Sequence, residues 1–234
     1  MTETTRTPSA ASIARLRWTV RAYRHPCAAL LAVQLFGLLA YPFFEGTYAG
    51  PVLLGALGIV VLLAAMGMVH RTAGSVWISA SLAIPGVVLN AWQATSGSTT
   101  LLAWSAAFEA AFYFYATGSL ILYMLADRRA SSDELFAAGA TFTLLAWGFT
   151  FLFVLCQALQ PGCFAAAVHS EAPRTWTELA YLSFALLSST GIGDVIPLTP
   201  QARALASLEM FVGVMYLTLV VSRLIGLTLL RRDD

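Results

Sequence analysis

Blocks of eighteen or more apolar residues, with few charges inside them, recur along this chain, and no other feature limits its fold so tightly. A helix rising 1.5 Å per residue crosses a hydrocarbon core of about 30 Å in about twenty residues, so blocks of this length fit a bilayer. With 59% hydrophobic and 11% charged residues and a mean hydropathy of +0.75, a soluble globule is excluded. Lipid offers the backbone no hydrogen bonds, so each crossing must satisfy its own, as an α-helix does. The fold class read from the sequence is an all-α membrane protein.

Apolar runs bounded by charged breaks predict six transmembrane helices, near 27–45, 50–69, 74–94, 101–125, 135–159 and 204–230. A further apolar stretch, 175–188, is too short to cross and reads as a re-entrant helix. Six crossings put both termini on one side. Arg6, Arg15, Arg17, Arg21, Arg24, Arg71, Arg128, Arg129, Arg231 and Arg232 then share one face, while Arg174 and Arg203 lie on the other and Arg223 lies inside the last span. The positive-inside rule makes the arginine-rich face cytoplasmic, so the expectation is a multi-pass protein of the cell (inner) membrane with cytoplasmic termini. Were 175–188 a full crossing, Arg231 and Arg232 would be exported. The first apolar block begins near Cys27, after a long polar and basic segment, which does not fit a cleaved signal peptide.

A formal net charge of +1 gives no bulk basic surface for nucleic acid. In the N-terminal segment, Ile13, Leu16, Val20 and Tyr23 recur on one helical face while arginines occupy another. Two readings stay open: an interfacial helix with Arg15, Arg17, Arg21 and Arg24 on anionic lipid, or an orientation signal with incidental periodicity. Trp18, Trp77, Trp92, Trp104 and Trp176 fall near span boundaries and suit interfacial anchoring. Cys27, Cys156 and Cys163 lack metal-ligand spacing, and with His25, His70 and His169 scattered near span ends no metal site or cofactor is expected.

Function concentrates after the short helix, in Ser188-Ser189-Thr190-Gly191-Ile192-Gly193-Asp194, followed by Val195 to Arg203. Glycines at alternate positions free the backbone to aim successive carbonyl oxygens the same way. Four such strands around an axis would form oxygen rings that replace an ion's hydration shell, and the helix C-terminus would favour a cation. One strand cannot enclose a pore, so this reading requires a cyclic homotetramer.

These residues resemble the pore module of tetrameric potassium channels, specifically the bacterial group with one pore loop per chain. The family filter reads T-V-G-Y-G-D, and Ser189, Thr190, Gly191, Ile192, Gly193 and Asp194 stand in that order. Pro197, Thr199 and Arg203 match the positions leading into the family's inner helix, and Gly213 falls at its hinge glycine; the likeness runs from Thr175 to Gly226. The resemblance implies that the carbonyls of Ser189, Thr190, Gly191 and Ile192, with the Ser189 hydroxyl, coordinate dehydrated ions, with Gly193 completing the filter. It implies that Asp194 sits at the outer mouth with Tyr181 as its aromatic partner, that 135–159 is the outer helix and that 204–230 is the inner helix. The permeant species would be potassium, with sodium its rival, because Ile192 replaces a bracing aromatic ring and Ser189 lacks a methyl group found in the family.

The implied organisation is a cytoplasmic basic segment over 1–26, a four-helix domain over 27–130 in the voltage-sensor position, and a pore domain over 131–234. The fourth span carries no arginine, so steep voltage gating is not expected. Glu109 in that span is a candidate proton sensor, against a structural carboxyl that shares a hydrogen bond; Gly213 is a candidate hinge, against a site of close packing. Arg223 suits either snorkelling or an ion pair. Only four residues follow Leu230, so gating is expected from the membrane domain, lipid, pH, tension or a partner. An intramembrane hydrolase lacks a G-x-S-x-G or H-E-x-x-H motif, and a secondary transporter lacks an inverted repeat. The chain therefore reads as a channel and not an enzyme, with a non-selective cation channel or a non-conducting channel-like subunit as alternatives.

Overall fold

A computed structural model describes residues 26–44, 50–71, 75–126, 132–166 and 172–230. Among them are seven helices: α1 (Pro26–Phe44), α2 (Gly50–Arg71), α3 (Val76–Ser96), α4 (Thr99–Ala126), α5 (Ser132–Leu159), α6 (Trp176–Leu187) and α7 (Pro200–Leu230). Six are long and one is short, in the order read from the apolar blocks. Four stretches, Pro26–Phe44, Thr99–Leu125, Asp133–Leu159 and Pro200–Val220, are long and apolar enough to cross a membrane on their described residues. The N-terminal segment with its arginines, and Arg231 and Arg232, lie outside the described residues.

Helix α5 organises the rest. It packs against α1, α4, α6 and α7, and every residue from Thr143 to Thr150 is buried. A helix covered on all sides has no amphipathic stripe, which is why this segment reads as apolar all round. Lipid tails are as apolar as leucine, so such packing depends on close van der Waals fit more than on a hydrophobic drive. Phe112, Tyr113, Phe149 and Phe153 fill the space around α5. Its hydroxyls turn inward: Thr141, Thr143 and Thr150 donate to the carbonyls of Ala137, Gly139 and Ala146 at 2.7, 3.0 and 2.7 Å.

One buried cluster of the described residues runs from Cys27 in α1 to Tyr216 in α7. Trp77, Trp92 and Trp104 are exposed, as interfacial anchors would be. Trp176 behaves otherwise. Its ring stacks on Tyr41 at 4.2 Å and meets Trp147 edge-on at 5.3 Å, pinning the start of α6 to α1 and α5.

Among the described residues, two short strands that no apolar pattern marks, β1 (Phe164–Ala166) and β2 (Val195–Pro197), pair antiparallel with Ala165 opposite Ile196. The Leu198 N–H extends the ladder to the Cys163 carbonyl at 2.8 Å. The ladder fastens the chain beyond residue 194 to the loop that follows α5. Cys163 is buried at its edge, where burial and the neighbouring Cys156 push its thiol up to about 12.

Candidate functional site

Helix α6 starts at a capping box. The Thr175 hydroxyl accepts from the Glu178 N–H at 3.3 Å, and Glu178 Oε2 accepts from the Thr175 N–H at 2.8 Å. This T-x-x-E spacing is a start signal written in the sequence. One residue earlier, the Gln157 side chain holds the backbone of Arg174 on both sides, accepting from its N–H at 2.8 Å and donating to its carbonyl at 2.9 Å. The end of α5 thus fixes the beginning of α6.

The other end of α6 closes in a Schellman arrangement. The Ser189 N–H donates to Leu186 O at 3.0 Å, and the N–H groups of Thr190 and Gly191 both donate to Ala185 O, at 2.9 and 3.1 Å. Ser189 occupies the left-handed position of this motif with φ of 58°, which glycine usually fills, and Gly191 repeats it at 65°. Backbone N–H groups are therefore drawn back onto the helix carbonyls, and left-handed residues alternate along the strand. Every residue from Ser188 to Asp194 is exposed in the single chain, including 53% of Ile192. An exposed irregular strand at membrane depth must be covered by protein or line a water-filled cavity.

After the strand, the residues of the resemblance have local structural roles. Thr199 caps α7 by accepting from the Ala202 N–H at 3.3 Å, Pro200 takes the first helical position, and Arg203 Nε donates to Pro197 O at 3.2 Å. Tyr181 and Asp194 are both exposed, and no hydrogen bond joins them among the described residues. Sequence proximity to the family pattern does not by itself bring that pair together within one chain.

Helix α7 presents Ala202, Ala206, Glu209, Gly213 and Tyr216 as a buried stripe toward α6 and α5. It continues unbroken through Gly213, where an added Cβ would overlap the Leu187 carbonyl oxygen and lie 2.9 Å from Leu187 Cα. Close packing is what this glycine provides in the structure. One turn earlier, Glu209 is fully buried and hydrogen-bonds Ser183 of α6. Sequence reading passed over both of these residues, although a glutamate amid an apolar run, like Glu109, is a visible signal. Tyr216 donates to Ala138 O at 2.6 Å, and Arg223 Nε donates to Met124 O at 3.0 Å, so α7 is tied to α5 and to the end of α4. The opposite face of α7, with Leu208, Phe211, Val214 and Leu219, is uncovered.

Glu109 is buried in α4 and accepts from Asn90 Nδ2 of α3 at 3.0 Å. An apolar cavity of about 540 Å³, lined by Met124, Leu145, Phe211, Met215 and Arg223 among others, opens between α4, α5 and α7; its lining includes none of residues 188–194.

A family model described as an ion channel matches residues 139–228, from within α5 to near the end of α7 and less than half of the chain. No curated protein and no solved structure matches the chain. The family match supports ion-channel activity and, with the apolar helices, a membrane protein.

Proposed function

We propose that this chain forms a homotetrameric, potassium-selective channel of the cell membrane, with six crossings per subunit, cytoplasmic termini and α6 as a re-entrant pore helix. Residues 189–193 are the selectivity filter, Asp194 is at its outer mouth, α5 is the outer helix and α7 the inner helix. The observation that carries this reading is the strand after α6. It alternates left-handed residues at Ser189 and Gly191, turns its N–H groups onto the helix, and is exposed in the single chain within the region matched to ion channels. Four copies around an axis would cover it and offer its carbonyls to a dehydrated cation. The bare apolar face of α7 supports the same assembly, since it is uncovered among the described residues.

A second reading, non-selective conduction of monovalent cations, draws on Ile192. The residue is 53% exposed, and its side chain has neither the ring nor the hydrogen-bonding group that could brace a filter wall. Ion flux into liposomes holding the purified protein, under potassium or sodium gradients and with Gly191→Asp as control, decides between them. Potassium flux abolished by the substitution, with little sodium flux, is the expected result. Equal flux of both ions favours the second reading, and no flux under any gradient makes the chain a silent channel-like subunit.

A further inference from the structure

Ser183 sits at a junction of three helices. Its hydroxyl oxygen lies 2.7 Å from the Ala146 carbonyl of α5 and within hydrogen-bonding distance of Glu209 Oε1 of α7. Both contacts are buried, and each needs a hydrogen between its two oxygens. A serine hydroxyl has one hydrogen, and a carbonyl can only accept. If that hydrogen serves Ala146, the second must come from Glu209.

The rest of the pocket agrees. Glu209 is fully buried, and its Oε2 has no hydrogen-bond partner among the described residues. An ionised carboxylate there would leave charge on an unpaired buried oxygen, whereas a neutral acid leaves only a carbonyl. Among the described residues, no counter-charge is bonded to it either. Asp133, Glu134 and Cys156 of α5, Glu178 and Tyr181 of α6, and Arg203, Tyr216 and Arg223 of α7 are the charged or titratable side chains on the packed elements, and none is bonded to Glu209.

We infer that Glu209 carries a proton and is a positioning residue: Glu209 donates to Ser183, Ser183 donates to Ala146, and loss of that proton turns the one Ser183 hydrogen to the carboxylate, so that α6 loses its bond to the Ala146 carbonyl of α5. This rests on the channel reading, in which α6 holds the filter at its C-terminus. The relay meets α6 one turn before Leu187, the residue against which Gly213 packs. Glu209 and Gly213 together therefore fix the inner helix to the base of the filter.

The test uses the full-length protein in liposomes and compares wild type with Glu209→Gln, Glu209→Ala and Ser183→Ala. Glutamine can donate to Ser183 as the acid does, and it cannot ionise. In infrared difference spectra at neutral pH, wild type should show a protonated-carboxyl carbonyl band that is lost in Glu209→Gln. As pH rises, that band and the potassium flux of wild type should fall together, while Glu209→Gln conducts without this alkaline limb. Glu209→Ala and Ser183→Ala should each lower flux about tenfold, the scale of one lost hydrogen bond, and the double variant should be no worse. An absent band, or the same alkaline limb in Glu209→Gln, overturns the inference. If wild type conducts nothing, the channel reading fails while the infrared band still decides where the proton is.

Discussion

Gly213 lies so close to Leu187 that a methyl group in its place would overlap the Leu187 carbonyl oxygen. The contact is between backbones, so no side-chain rotation relieves it. Helices α7 and α6 meet at Leu187, the last residue of α6, two positions before the start of the proposed filter.

Gly213→Ala is therefore expected to separate α7 from α6, at about 1–3 kcal/mol, the usual cost of overpacking a filled site. Thermal melting of the purified protein should fall, and potassium flux with it. A variant that conducts and melts like wild type would mean that the two helices are not held this closely.

Ser189 occupies a left-handed conformation, with φ of 58°. A β-branched valine tolerates that region poorly, and the strain is of order 1–3 kcal/mol. Ser189→Val should lose flux through both the altered turn and the missing hydroxyl, measured in the same liposomes.

Ile192 is half exposed and carries neither a ring nor a hydrogen-bonding group. An aromatic ring with a hydroxyl, as in Ile192→Tyr, gives the filter wall packing area and a hydrogen-bonding group. The ratio of potassium to sodium flux should rise; an unchanged ratio would place selectivity in the carbonyls alone.

Glu109 takes its hydrogen bond from Asn90. Asn90→Leu leaves a buried acceptor unpaired and should destabilise the protein by about 1–3 kcal/mol, whereas Asn90→Asp and Glu109→Gln retain a way to share a hydrogen. Melting curves of the three variants in detergent check the ranking.

The Cys163 thiol is pushed up from 9.0 to about 12, chiefly by burial. A group raised in the folded protein contributes stability that is whole below its unfolded value and is lost as pH rises through the folded one. Cys163 should resist alkylation at pH 8 in the folded protein and react on unfolding. Cys163→Ser should flatten any loss of stability between about pH 9 and 12.

The long helices were legible in the sequence because a bilayer demands unbroken apolar runs, and the short α6 because 175–188 cannot span it. The segment 188–194 stands out in the sequence for a related reason: its glycines and hydroxyls interrupt an otherwise apolar pattern. The T-x-x-E spacing at Thr175 marked the start of α6 just as locally. These are short-range properties, read within a turn or two of the chain.

What the sequence could not decide is which residues meet across it. The pairing of Phe164–Ala166 with Val195–Pro197, the turning inward of Trp176 onto Tyr41, and the close packing of Gly213 on Leu187 each join segments far apart in the chain. Glu209 shows the difference most plainly. As a residue it is one more acid in an apolar run; its reading as a proton carrier comes from Ser183, 26 residues from Glu209 and 37 residues from Ala146 along the chain. Composition selects the solvent and the helices, but donor and acceptor counts close only when distant segments are brought within 3 Å of one another.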